Sequence, residues 1–368
     1  MAYISAIGTA VPSNKISQED IYEFMKKAHG LNEREGRELK VLYRATGIKT
    51  RHSVIDDYGK SEGFSFFPDT EDLEPFPSTS DRMHIFEEEA KKLCLQAVDA
   101  CREQQPQWKP EEVTHLITVS CTGMYAPGLD IDLTNELGLP HHTQRTNIYF
   151  MGCQAAFNGL KVANSICEAN PEANVLLICV ELCTLHFQKD NTEDSLLANS
   201  LFSDGAAAVF LSGKAENQRS LSIEDFACAL HPEGKRDMAW KIGNFGFEMK
   251  LSSYVPDIIK GGIKELTQKL LSSLRVSFKD IDHFAIHPGG KRILRFVEEE
   301  LGIEKSRNSS SHKVLQEYGN MSSPTILFVL KEVWHKLKQE SDPRYILNFA
   351  FGPGLTLESM LLKTHPAE

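Results

Sequence analysis

The chain has no Cys-x-x-Cys pair, no basic surplus and no apolar run of bilayer-spanning length. Each absence excludes something. Eight cysteines scattered through 368 residues, with only Cys179 and Cys183 as close as four apart and those inside the apolar run Val175 to Leu185, argue for reduced thiols in the cytoplasm and against a zinc site. Forty Lys and Arg against 51 Asp and Glu give a net charge of -11, which leaves nothing to neutralise the phosphates of nucleic acid. Without an apolar stretch of about 20 residues no membrane span is expected. The opening Met1-Ala2-Tyr3-Ile4-Ser5-Ala6-Ile7-Gly8 lacks the basic region and the long apolar core of a signal peptide. What is present is a 41% hydrophobic composition with 25% charged residues, ample for a large soluble core.

The stretch Tyr149-Phe150-Met151-Gly152-Cys153-Gln154-Ala155-Ala156-Phe157-Asn158-Gly159-Leu160 organises the rest. An apolar run stops at Gly152, a cysteine follows, and a helical segment of small residues continues to Ile166. A thiol at the first turn of a buried helix meets unpaired N–H groups and the positive end of the helix dipole, both of which favour thiolate. The plainer reading is a small buried hydrophobe, the usual fate of a free cysteine.

Taken in order, Tyr3 to Val11 reads as a strand stopped by Pro12, and Ser17 caps a helix toward Lys27. Arg34 to His52 is rich in basic residues, including Lys40, Arg44, Lys49 and Arg51. Such a run is either a solvated helix face or an anion-binding rim. Tyr58 to Ser80 holds three prolines, two glycines and four phenylalanines without period, and is expected to be an irregular surface excursion. Ile85 to Gln104 is a long amphipathic helix, and Val113 to Ser120 a strand ending at Cys121-Thr122-Gly123.

The second half repeats this plan. The strand Thr114 to Cys121 has a partner in Asp282 to Pro288, each after a long helix, the second being Pro256 to Leu274. Small-residue helix starts follow at similar distance: Cys153 lies 32 residues after Cys121, and Asn320 lies 33 after His287. Strands at Val175 to Val180 and Tyr345 to Phe351 close the two units. The pattern implies halves at residues 1–220 and 221–368, with parallel-dominated sheets packed back to back in an α/β/α/β/α sandwich about a pseudo-twofold axis. By that symmetry Cys153 and Asn320 face one another, and His287 stands at the C-terminal end of a central strand. Taken singly, His287 reads as a structural histidine and Asn320 as a helix cap. Together the three can act: an imidazolium supports a thiolate nucleophile, while an imidazole and an amide stabilise a negative carbonyl oxygen such as the enolate left when a malonyl thioester loses carbon dioxide. A carboxylate in place of Asn320 would repel that enolate.

These residues resemble those of the type III polyketide synthases, the chalcone-synthase-like branch of the thiolase superfamily, over nearly the whole chain. The specific pieces are Gly152-Cys153, Ile286-His287-Pro288-Gly289-Gly290, Tyr318-Gly319-Asn320-Met321-Ser322-Ser323, Phe351-Gly352-Pro353-Gly354-Leu355-Thr356, and the phenylalanine-bearing stretch Leu201 to Ala208. The resemblance implies a thiolase-like fold and a cytoplasmic homodimer with no tightly bound cofactor. The substrates it implies are acyl-coenzyme A starters and malonyl-coenzyme A. It makes Cys153 the carrier of the growing chain and His287 and Asn320 the decarboxylating pair. Phe202 and Phe247 become gatekeepers, His186 and Ser322 cavity walls, Gly352, Pro353 and Gly354 the cyclisation loop, and Lys40, Arg44, Lys49 and Arg51 the candidates for the coenzyme A phosphates.

Three departures mark this chain. His186 replaces a small hydroxyl residue, Gln154 an aromatic one, and Ala350 the first glycine of the loop; they look bacterial rather than plant-like. Three rivals stand beside this reading. An initiating ketoacyl synthase uses the same Cys, His and Asn. A papain-like hydrolase shares their order, with 134 residues between Cys153 and His287. The third is a catalytically silent scaffold.

Overall fold

The computed structural model describes residues 1–215, 219–252, 255–337 and 342–365. Up to the middle of the chain the elements are β1 (Tyr3–Ala10), β2 (Asn14–Ser17), α1 (Gln18–Ala28), α2 (Glu33–Ala45), β3 (Thr50–Ser53), α3 (Thr79–Arg102), β4 (His115–Ser120), α4 (Leu129–Glu136), β5 (Gln144–Tyr149), α5 (Ala155–Ala169), β6 (Asn174–Leu182), α6 (Glu193–Leu201) and β7 (Asp204–Ser212). Then come β8 (Ser220–Leu230), β9 (Met238–Gly243), β10 (Gly246–Leu251), α7 (Val255–Leu274), β11 (Ile281–Ile286), α8 (Lys291–Leu301), α9 (Ser309–Tyr318), α10 (Thr325–Leu337), β12 (Tyr345–Gly352) and β13 (Thr356–His365).

Strand β6 shows how the sequence builds the layers. Val175, Leu177 and Cys179 enter a central core, while Leu176, Ile178 and Val180 enter an outer one. Successive side chains of a strand alternate faces, and a strand covered on both reads as one unbroken apolar run. The central core also takes the apolar faces of α5 and α10, together with residues of β4, β7, β8 and β11–β13. The first outer core is completed by α3, and the other by α7 and α8 against the opposite faces of β11–β13. The result is the expected αβαβα sandwich, with α5 and α10 as its middle layer.

The large sheet runs β11-β12-β13-β8-β1-β7-β6-β4-β5. From its centre outward, β1-β7-β6-β4 repeats as β8-β13-β12-β11, so the duplication read from spacing is visible in connectivity. The sheet is not parallel-dominated. Five neighbouring pairs are antiparallel and three, β4–β5, β4–β6 and β11–β12, are parallel. The reason is that β7 and β13 double back beside β6 and β12 instead of crossing over. These returns lack the small-residue helix starts from which the repeat was read.

Other differences are local. Helix α3 begins at Thr79, earlier than its apolar period announces, because Ser78 and Asp81 form a capping box there. The stretch after Tyr58 is irregular as expected, but it is no mere surface excursion. The carboxylate of Asp57 accepts the N–H groups of Ser65, Phe66 and Phe67 at 2.7–2.9 Å. That turns Phe67 and Phe76 inward, to stack on one another and pack against Phe187.

Helix α3 crosses β1 at Gly8. A Cβ there would lie 2.0 Å from the Ala97 carbonyl oxygen and 2.3 Å from the Cys101 nitrogen, both backbone atoms. Gly8→Ala must therefore separate a helix from its sheet, and a loss of about 1–3 kcal/mol is expected in urea unfolding. An unchanged midpoint would show that the contact yields freely.

Candidate active site

The nucleophile corner is built by backbone geometry. Gly152 has φ +79, and a Cβ on it would fall 2.2 Å from Cδ of Pro353. Glycine is demanded twice, by conformation and by space. The chain leaves β5, turns through Cys153 and enters α5 at Ala155, whose N–H donates to the Gly152 carbonyl at 2.9 Å. His287 directly follows β11, and its N–H extends the pairing to the Phe349 carbonyl at 2.8 Å. Asn320 follows α9 through Gly319, φ +73. Its N–H donates to Leu201 and its carbonyl accepts from Ser203, each at 2.9 Å, so Phe202 and Asn320 form a bridge between distant parts of the chain.

Cys153, His287 and Asn320 line one buried, largely apolar cavity together with His186, Phe202, Ser322 and Pro353. Its free volume is about 70 Å³. The Asn320 side-chain oxygen Oδ1 accepts the Ser322 N–H at 2.9 Å, while its Nδ2 reaches the Gly289 carbonyl only at 3.4 Å. With its oxygen engaged, the amide turns its N–H side toward the thiol, as the Ser322 hydroxyl also does. Both ring nitrogens of His287 are buried without a hydrogen-bond partner among the described residues, an arrangement that native interiors rarely keep without function.

Charge is expensive here. Burial, with a smaller contribution from the like charge of Glu181, pushes the Cys153 thiol up to about 11. Burial alone pulls the His287 imidazole down to about 3. Burial thus opposes the charge on each of the two groups, whereas the sequence led us to expect a standing ion pair. A lone thiolate or a lone imidazolium is disfavoured here, while two such charges created together would attract.

Other expected residues divide. His186 is both wall and strut. Its Nε2–H donates to the Thr122 carbonyl at 2.7 Å, Nδ1 accepts the Phe247 N–H at 2.9 Å, and its ring stacks on Phe247 at 4.2 Å. Phe247 thus stands behind His186, buried, and is not among the residues that line the cavity. Pro353 lines it, whereas Gly352 and Gly354 do not. Gly352 is instead pressed against Gln154, whose side-chain oxygen would overlap any Cβ placed there.

The basic candidates are corrected. Arg51 lies in the cavity wall, buried, with Nε donating to Gln18 and Nη1 to the carbonyls of Asn199 and Phe202 at 2.7–2.9 Å. It is a strut under Phe202 rather than a rim cation. A neighbouring groove of about 640 Å³ shares Leu251, Gly289 and Ile293 with the cavity. Helix α2 faces it with Glu35, Glu38, Leu39, Leu42 and Ala45. Lys40 and Arg44 project from the other side of the helix, Lys40 onto Glu19, and Lys49 lines neither space.

Two features escaped the sequence reading. Glu181, buried at the end of β6, accepts from the Cys121 N–H and the Thr122 hydroxyl at 2.8 Å and from the Ser323 hydroxyl at 2.6 Å. Burial raises its carboxyl above the usual range. An acid inside an otherwise apolar strand was the available signal. The hairpin β9–β10 supplies Met238, Trp240, Met249 and Leu251 to the cavity wall, paired across the strands as Met238 with Leu251 and Trp240 with Met249. Their two-residue alternation around Gly243-Asn244-Phe245-Gly246 announces the hairpin.

A sandwich of two matching halves that buries Cys, His and Asn in one cavity defines the thiolase-like condensing enzymes, which are acyltransferases. Residues 1–215 match the family model for the N-terminal domain of chalcone and stilbene synthases, and residues 223–366 the model for the C-terminal domain. The chain belongs to this family, the type III polyketide synthases. It is 32% identical over 375 residues to type III polyketide synthase A of Arabidopsis thaliana, covering 99% of this chain and 93% of that one. It is 30% identical over 373 residues to a polyketide synthase of Dictyostelium discoideum, covering 98% of this chain but only 11% of that protein's length. The crystal structure of PKS-I from the brown alga Ectocarpus siliculosus superposes with a TM-score of 0.91 at 29% identity, over 99% of this chain and 98% of that one. This membership removes the initiating ketoacyl synthase, the hydrolase and the silent scaffold. No described helix is long and apolar enough to cross a membrane.

If His287 accepts the thiol proton, the pH profile of Cys153 alkylation by iodoacetamide should move upward in His287→Ala, slowing the reaction at pH 7.5 by about tenfold or more. A profile indifferent to His287 would exclude that transfer.

Proposed function

We propose that the protein transfers an acyl starter from coenzyme A to Cys153, then decarboxylates malonyl-coenzyme A and extends the chain by Claisen condensation. In loading, the Cys153 sulfur attacks the thioester carbonyl, its proton passes to His287, and coenzyme A leaves with a proton. The malonyl thioester then places its carbonyl oxygen between the His287 N–H and the Asn320 amide. Carbon dioxide departs, its bonding electrons form the enolate, and the enolate carbon attacks the acyl-Cys153 carbonyl, expelling the thiolate. Repeated rounds end in cyclisation or release as a pyrone, resorcinol or phloroglucinol-type product.

One observation carries this reading. Among the described residues His287 has no partner for either nitrogen, beside a cysteine and a loosely held amide, in a buried and largely apolar cavity. The work divides between residues 1–220, which carry the nucleophile, and 221–368, which carry His287 and Asn320. No tightly bound cofactor is invoked. The exposed edge strand β5 supports a homodimer, and eight free cysteines support a reducing cytoplasm. Incubation with malonyl-coenzyme A and a panel of acyl-coenzyme A starters, with products identified by mass, tests the whole. Coenzyme A release without any condensed product would overturn it.

Two variants divide the mechanism. Cys153→Gln should release carbon dioxide from malonyl-coenzyme A while making no condensed product, because a neutral amide imitates the acylated thiol and leaves the donors in place. No release from a folded Gln variant would separate decarboxylation from His287 and Asn320.

The second concerns length. With little free volume, the cavity walls limit chain growth, and His186→Ser opens one wall and frees Phe247 to move. A steric misfit of one methylene is worth roughly 1–3 kcal/mol, so products should shift toward more extensions or larger starters. His186→Gln, which can keep both hydrogen bonds and most of the bulk, should not shift them. Identical product masses from all three proteins would take His186 out of length control.

A further inference from the structure

One wall of the cavity is gripped from outside by the first turn of α3. His186 stands in that wall between Leu185 and Phe187, and all three are buried. Arg82, wholly buried on α3, reaches the backbone on both sides of the histidine. Its Nη1 donates to the Leu185 carbonyl and comes within 3.5 Å of the Phe187 carbonyl, while Nε donates to the Pro77 carbonyl at 3.1 Å. The Phe76 ring covers the guanidinium at 4.8 Å. Every acceptor is a backbone carbonyl, and Nη2 has no hydrogen-bond partner among the described residues. Burying a cation without an acid is costly, and burial pulls the Arg82 guanidinium down to about 10. What arginine supplies here is a planar fork of donors that spans carbonyls diverging around one turn of chain.

The same turn of α3 holds the β9–β10 hairpin, which forms the adjoining part of the wall. The Thr79 N–H donates to the Asn244 carbonyl at 2.9 Å. Its hydroxyl donates to the Gly243 carbonyl and accepts the Gly246 N–H at 2.8 Å. A Cβ on Gly246 would lie 3.0 Å from Cδ of Arg82 and 3.2 Å from Nδ1 of His186, so arginine, histidine and hairpin meet at one point. The hairpin pairs with no strand of the large sheet. Side ties of this kind, rather than a ladder of strand bonds, therefore set its position. Neither Thr79 nor Arg82 lines the cavity, and each can act on a bound chain only through the wall.

We propose that Thr79 and Arg82 are positioning residues, a clamp behind the wall that fixes where His186 and the hairpin stand and hence how large an acyl chain the cavity admits. This rests on the condensing function proposed above.

Product masses from one starter and malonyl-coenzyme A, compared for wild type, Arg82→Lys and Thr79→Val, test the clamp, with thermal unfolding as the check on folding. Lysine keeps the charge but offers a single ammonium in place of the fork. Valine keeps the shape of threonine and removes both hydroxyl bonds. Each change should raise the ratio of longer to shorter products, Arg82→Lys by about tenfold, the scale of a misfit of one methylene. Thr79 is only half-buried, so its variant carries the test should Arg82→Lys fail to fold. A role in stability alone would lower condensation and malonyl-coenzyme A decarboxylation together and leave the product ratio where it was. That parallel loss would overturn the proposal, as would an unchanged ratio in both folded variants.

Alkylation of Cys153 keeps the clamp separate from the proposed function. Iodoacetamide and N-phenyliodoacetamide differ in bulk, so the ratio of their rates at the Cys153 peptide reads the space beside the sulfur without any turnover. The bulky reagent should gain on the small one in Arg82→Lys and in Thr79→Val. If the wild type condensed nothing, the proposed function would fail while this ratio still decided the clamp, and equal ratios in all three proteins would refute it.

Discussion

Two backbone hydrogen bonds, one on each side of Phe202, fix where the second half of the chain presents its asparagine. They run from Asn320 to Leu201 and from Ser203 to Asn320, and they tie the loop after α9 to the segment between α6 and β7. Phe202 and Asn320 take their positions in the cavity from that junction. Arg51 reinforces it from beneath by binding the Phe202 carbonyl. Glu181 does the same on the other side, gathering donors from both halves with Thr122 and Ser323. Buried polar groups of this kind tolerate no slack, because an unmatched donor or acceptor costs about 1–3 kcal/mol.

The same burial sets the chemistry. Burial opposes charge on both the Cys153 thiol and the His287 imidazole, so a charge that develops there is favoured only where a partner can take it up. The donors are aimed while the acceptor is absent. Such preorganisation is the physical content of an oxyanion site, and it explains why the unpartnered nitrogens of His287 are tolerated in so tight an interior.

Much of this was legible without coordinates. The distances from Cys121 to Cys153 and from His287 to Asn320 carried the duplication, and the duplication carried the convergence of three dispersed residues, as the topology shows. The unbroken apolar run of β6 likewise announced a strand covered on both faces. The antiparallel returns β7 and β13 were not legible, since nothing in an apolar run states its direction. The β9–β10 hairpin was passed over although its alternation was in plain view. The basic residues near α2 misled because a charge in sequence does not say which face of a helix it occupies. Helical spacing puts Glu35, Glu38, Leu42 and Ala45 on the groove and Lys40 and Arg44 away from it. His186 was expected to be a wall, with a core hydrogen bond as the alternative; that it does both was not legible, because its partners Thr122 and Phe247 lie 64 and 61 residues away.

The contact between Gly152 and Pro353 has a mechanical corollary. Pro353 sits where any side chain on residue 152 would have to go, and Gly352 is pinned in the same way by Gln154. The loop Gly352-Pro353-Gly354 and the corner at Cys153 are therefore packed as one block, in which a side chain added on one side demands a change on the other. The opposite wall is built differently. There Met238, Trp240, Met249 and Leu251 hang from a two-stranded ribbon outside the large sheet, and the tie back to the Cys153 corner is the Trp240 Nε1–H, which donates to the Cys121 carbonyl at 2.6 Å.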